Sequence, residues 1–208
     1  MSGLAPMQDL FDAATGEELP LPDTIANLYG RLRMPRHAAR PHVIGNFVAS
    51  LDGVVSLGIP GKAGGGDIDP ERRLFRAGAV PSLILTTAAG AERLQDHDLP
   101  PSARVEAVAK DAPLSAQAVL DSVARARKSD LVLLEAGPHL MSDFVAEQLL
   151  DELFLTLAPQ VAGRDGAIER PGLVNGKVFA PDHSVWGTLA GLKRGGDHLF
   201  LRYAFARQ

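Results

Sequence analysis

The feature that most constrains this chain is an alternation of short apolar runs with amphipathic segments between residues 82 and 158. Ser82–Thr87 (SLILTT) reads as a strand, Ala88–Leu94 as a short helix and Arg104–Ala109 as an alternating strand. Ser115–Lys128 places Val119, Leu120, Val123 and Ala124 on one helical face, and Asp130–Glu135 (DLVLLE) reads as a buried strand. Pro138–Leu150 is a helix with Leu140, Met141, Phe144, Val145 and Leu149 along one stripe, and Asp151–Ala158 is a further strand. Periods that switch between 2 and 3.6 in this way predict an α/β fold: a mostly parallel central sheet flanked by helices.

The flanks have a different grammar. His42–Ser50 (HVIGNFVAS) is a strand that ends in the turn Leu51-Asp52-Gly53, followed by a glycine-rich loop over Gly58–Gly66. Val185–Leu192 and His198–Phe205 flank Lys193–Asp197, which predicts a C-terminal antiparallel hairpin with Trp186 packed in it. Residues 1–40 read as an N-terminal extension with one short helix near Thr24–Arg31, and residues 41–208 as the domain.

Composition narrows the function classes. A net charge of −4 supplies no basic field for nucleic acid. No apolar stretch approaches the ~20 residues of a membrane span, and the acidic N-terminus argues against a secretory signal, so a cytoplasmic protein with no membrane partner is expected. The absence of cysteine removes disulfides, thiolate metal sites, a cysteine nucleophile and the zinc centre of nucleobase deaminases. The six histidines show no metal-ligand spacing, so no metal is expected.

Three segments carry candidate chemistry. Glu135-Ala136-Gly137-Pro138-His139-Leu140 lies where a strand gives way to a helix. First-turn N–H groups lack internal partners there, Gly137 admits a ligand close to the backbone, and Pro138 suits the first helical position. A plain strand-to-helix turn fits the same local pattern. In the second segment Asn46, Val48 and Ser50 share one strand face, and Asp52-Gly53 presents polar groups at the sheet edge, although Asp-Gly is also a common turn. The third is Asp151-Glu152-Leu153, followed by Pro159 and Gly163: two carboxylates before a strand can be functional, and a solvated cap of a helix–strand junction is the better reading. The apolar stretch Phe144–Leu157 serves either as a dimer seam or as core.

Taken together, these stretches resemble the dihydrofolate-reductase-like domain of riboflavin-biosynthesis pyrimidine reductases, the RibD C-terminal type. The resemblance rests on Arg40-Pro41, "NFVASLDG", "GKAGGGD", "VPSLILTT", "LLEAGPHLMSDFVAEQLLDELFLTLAPQVAG" and "DHLFLRY". It implies NADPH as cofactor, with Glu135, Gly137, Pro138, His139 and Leu140 at its phosphates and Thr86 and Thr87 also in reach. It implies Asn46, Ser50, Asp52 and Gly53 at the substrate, with Ser50 or Asp52 polarising it. It further implies a small-molecule pyrimidine substrate and a homodimer. Ala136 stands where the family usually has glycine. Near Ile68-Asp69 a family segment of several tens of residues has no counterpart, through a true deletion or through residues missing from the sequence. The alternative is a degenerate, non-catalytic member that serves as a dimeric ligand-binding or scaffold protein.

Overall fold

The computed structural model describes residues 5–37, 39–57, 77–78 and 80–206. The junction at Ile68-Asp69 and the glycine loop over 58–66 lie outside them. The chain divides into two compact units, residues 1–59 with 130–208, and residues 60–129.

The first unit is built on a six-stranded sheet in the order β1-β9-β10-β8-β4-β7. Its strands are β1 (Gln8–Asp12), β4 (His42–Ala49), β7 (Leu131–Leu134), β8 (Glu152–Leu157), β9 (Gly187–Gly195) and β10 (His198–Phe205). β4 runs parallel to both β7 and β8, whereas β8–β10, β10–β9 and β9–β1 are antiparallel. The α/β class and the C-terminal hairpin match the sequence reading, and this sheet is mixed. β1 belongs to it, so residues 8–12 of the N-terminal segment close its far edge. The same segment adds helix α1 (Asp23–Tyr29) and a two-stranded ribbon of β2 (Glu17–Glu18) and β3 (Arg33–Met34).

Helix α4 (Pro138–Ala146) covers one sheet face, with the Met141 methyl against Gly45. Met141, Phe144, Val43, Leu150 and Leu153 are buried there. Truncating Phe144 to alanine at such a position costs about 3–5 kcal/mol. The helix is one turn shorter than its apolar stripe predicts. Gln148 takes φ 53°, and the Leu149 and Leu150 N–H groups both turn back to the Phe144 carbonyl, which ends the helix and drops both leucines into the core. The seam expected over Phe144–Leu157 is therefore largely core: Phe144, Leu149, Leu150 and Leu153 are all buried.

The hairpin strand β9 also runs further than predicted. Lys193 and Arg194 stay in the ladder, and the turn tightens to Gly196-Asp197, with Gly196 at φ 60°. Trp186 precedes β9 and is 82% exposed, contrary to the packing expected of it. Its place before the first paired residue leaves it without a facing strand.

The second unit holds a parallel pair, β5 (Ser82–Thr87) and β6 (Ala103–Ala109), linked by α2 (Ala88–Leu94) and followed by α3 (Ala116–Ala126). Thr87 caps α2 by accepting the Gly90 N–H, and Ser115 caps α3 by accepting that of Ala118. Among the described residues of this unit, Ile84, Ala116 and Leu120 are the buried apolar ones.

Candidate functional site

Parallel pairing decides what the first unit brings together. Gly45 faces Leu134 across β4 and β7, so the next residues, Asn46 within β4 and Glu135 just past the carboxyl end of β7, lie side by side. The Asn46 amide donates to the Glu135 carboxylate at 2.7 Å. β8 lies on the other side of β4, and the chain leaving it meets the chain leaving β4: Leu51 N–H donates to Gln160 O at 2.7 Å. The ends of β4 and β8 thus meet, while β7 ends beside the middle of β4; the carboxyl ends of strands are where ligands bind in open α/β sheets.

On the β7 side the strand stops at Leu134 and α4 starts at Pro138, with Gly137 as N-cap. Gly137 has φ −68°, and a Cβ placed on it meets nothing within 4 Å. The backbone does not demand glycine here, and the space before the helix N-terminus is open. Ala136 is not among the non-glycine residues with positive φ, so its methyl is tolerated without strain. His139 and Glu135 are exposed; Pro138 and Leu140 are half-buried.

On the β4 side the polar groups turn inward. Ser50 is buried; its hydroxyl donates to Asp52 at 2.6 Å and accepts the Val54 N–H at 2.9 Å. Asp52 also accepts from Ala162 N–H at 3.0 Å and Gly163 N–H at 2.8 Å. The Ser50 hydroxyl, then the Ala162 N–H, then that of Gly163 hold the Asp52 carboxyl well below the usual carboxylate range, against a smaller upward effect of burial. Asp52 is therefore a carboxylate at neutral pH and no proton donor. Gly53, at φ 78°, makes the turn possible.

Sequence reasoning missed the loop after β8. Arg164 donates to Asp52 O and Arg170 O, and Arg170 donates to the carbonyls of Ala162 and Gly163. Further on, Asn175 reaches His139, and Ser142 ties the Asn175 backbone to the Pro138 carbonyl in the first turn of α4. The only local signal was a polar, glycine-rich run after an apolar strand. Thr86 and Thr87 belong to the second unit. There the Thr87 hydroxyl oxygen serves as a helix cap, and Thr86 packs against Gly90.

Asp151 and Glu152 are not a solvated cap; both are buried. Arg40 grips Asp151 with two hydrogen bonds of 2.6 Å, and Arg202 grips Glu152 through Nε and Nη2. Burial would push the Glu152 carboxyl up, but His42 and Arg202 outweigh it and hold it below the usual range. His37, His42 and Asp151 also bring possible metal-ligand atoms within 4.8 Å of one another, a grouping invisible in the sequence spacing. Both Asp151 oxygens already accept from the Arg40 guanidinium, and one also takes the Val43 N–H at 2.7 Å. A cation there would face that guanidinium, so the group reads as an anchor of the segment before β4.

Comparison with known proteins assigns the class. The chain belongs to the RibD C-terminal domain family, whose model matches residues 65–183. Its dihydrofolate-reductase-like fold is shared with the riboflavin biosynthesis reductase Rib7 of Saccharomyces cerevisia. That match has a TM-score of 0.55 at 11% identity and covers 81% of this chain and 90% of that one. Acinetobacter baumannii RibD matches with a TM-score of 0.51 at 16% identity, over 81% of this chain and 59% of the other, so this chain spans about three-fifths of that protein's length. No curated protein sequence matches. No helix among the described residues is long and apolar enough to cross a membrane.

Proposed function

We propose that the chain is an NADPH-dependent reductase similar to 5-amino-6-(5-phosphoribosylamino)uracil reductase, acting as a cytoplasmic homodimer on a small pyrimidine substrate in riboflavin biosynthesis, with no nucleic-acid or membrane partner. The observation that carries this reading is the 2.7 Å hydrogen bond from Asn46 to Glu135, which joins the β4 strand of one motif to the end of β7, where the other motif begins.

The residues present fit a dinucleotide. The first-turn N–H groups of α4 and the positive end of its dipole suit a phosphate, and the open space beside Gly137 lets one approach. Glu135, held by Asn46, is an acceptor for hydroxyl or amide protons of a ligand and disfavours a phosphate at its own position. Bound NADPH supplies a hydride, which would pass to the ribose C1 of the substrate. Ser50, Asp52 and Gly53 shape the turn at the β4 end and orient what binds there. Their inward hydrogen bonds also favour the second reading, a non-catalytic dimeric ligand-binding or scaffold protein, because neither Ser50 nor Asp52 points a proton at a substrate.

Titration with NADPH, followed by nicotinamide fluorescence, separates the readings from inactivity of another kind. A saturable change supports the cofactor site, and turnover of the ribosylaminopyrimidine then distinguishes reductase from binding protein. Gly137→Val is expected to weaken NADPH binding at least about tenfold, or ~1.4 kcal/mol. A valine side chain would fill the open space, while φ −68° keeps the variant folded. Equal affinity in the folded variant removes the site assignment.

A further inference from the structure

The geometry points to Asn175 as a positioning residue for the cofactor turn, an inference that rests on the reading of Gly137–Leu140 as the phosphate-binding segment. Asn175 Nδ2 lies 2.8 Å from Glu169 Oε1 and 3.3 Å from His139 Nε2, and Asn175 Oδ1 accepts the Gly176 N–H at 3.0 Å. These contacts fix which way the amide faces. A backbone N–H requires the oxygen on one side and a carboxylate requires the nitrogen on the other, so the reversed amide would lose both bonds. The second amide hydrogen therefore meets His139, whose Nε2 is the acceptor. In the neutral ring the hydrogen then sits on Nδ1.

The other side of the ring is confined by backbone. Gly176 has φ 81°, and a Cβ there would stand 2.9 Å from His139 Nδ1, so any larger residue would push the imidazole away. The fully buried Ser142 locks loop to helix. Its hydroxyl accepts the Asn175 N–H at 2.8 Å and has the Pro138 and Asn175 carbonyls, each at 2.8 Å, for its single proton. His139 stands two residues after the Gly137 cap. Fixing its ring and the carbonyl of Pro138 sets the first turn of α4 before any ligand arrives, so binding need not order it.

Asn175→Asp tests this with little change of shape. The carboxylate keeps the acceptor for Gly176 N–H and removes the donor to His139 and Glu169. In 15N-labelled protein, ring correlation spectra should show His139 with its hydrogen on Nδ1 in the parent and a shift to Nε2–H in the variant. KM for NADPH should rise at least about fivefold while kcat changes less than about twofold. An unchanged His139 tautomer in the folded variant overturns the inference. So does an unchanged KM beside a measurable parent KM. If the parent itself binds no NADPH, the cofactor reading falls, and the ring spectra alone judge whether Asn175 sets His139. Asn175→Ala, with the same two readouts, serves if the aspartate variant does not fold.

Discussion

The Asp52 carboxylate receives the Ser50 hydroxyl and two backbone N–H groups from a loop more than a hundred residues away. A carboxyl whose folded value lies below its unfolded one stabilises the fold above the ordinary carboxylate range, about pH 4, and that contribution is lost as pH falls below it. The thermal midpoint is thus expected to drop between about pH 5 and about pH 2, with Glu152 adding a loss in the same direction. Asp52→Asn should flatten this dependence and leave the Glu152 part. Parallel midpoint profiles for parent and variant would refute the role of Asp52. The turn itself was legible, because Asp-Gly after an apolar run implies it. Its partners were not, since nothing local to Ser50-Leu51-Asp52 announces Ala162 and Gly163. The same limit hid Asn175 behind His139.

At the level of elements, apolar periodicity located the strands and helices from residue 82 to 158 to within a few residues, because burial of one face dictates it. Periodicity cannot tell a helix end from a chain that stays apolar while leaving the helix, so α4 was read past Gln148. Charge was harder still. Asp151 and Glu152 look like a hydrated cap until Arg40, 111 positions earlier, and Arg202, 50 positions later, are brought to them. That anchoring ties the chain before β4 to the start of β8, the central parallel pair from whose ends the site grows. Asp151→Ala would leave the guanidinium of Arg40 and the Val43 N–H without their acceptor in a mostly buried place. Removing one partner of such a pair costs about 3–5 kcal/mol. Urea denaturation should show a loss of that size, and a loss below about 1 kcal/mol would mean that the pair is effectively solvated.

For the whole molecule, the proposed homodimer needs a surface, and the apolar stretch that first suggested one is occupied by the core of its own chain. The exposed apolar groups of the first unit lie elsewhere. Val178 is 87% exposed and Trp186 82%, and both line a groove of about 940 Å³ that Val145, Phe179 and Phe205 also border. An indole left in water is a strong anchor, since aromatic residues bury about 150–250 Å² each, and a standard interface takes about 800 Å² from each partner. A two-fold axis beside the groove would bring the same apolar residues of both copies together, the self-complementary arrangement that closed dimers require. Light scattering at micromolar concentration should then give twice the chain mass for the parent. Trp186→Glu should give the single-chain mass with an unchanged circular dichroism spectrum, because an exposed side chain contributes little to folding. A parent that is already monomeric refutes the dimer, and a variant that remains dimeric moves its interface away from this groove.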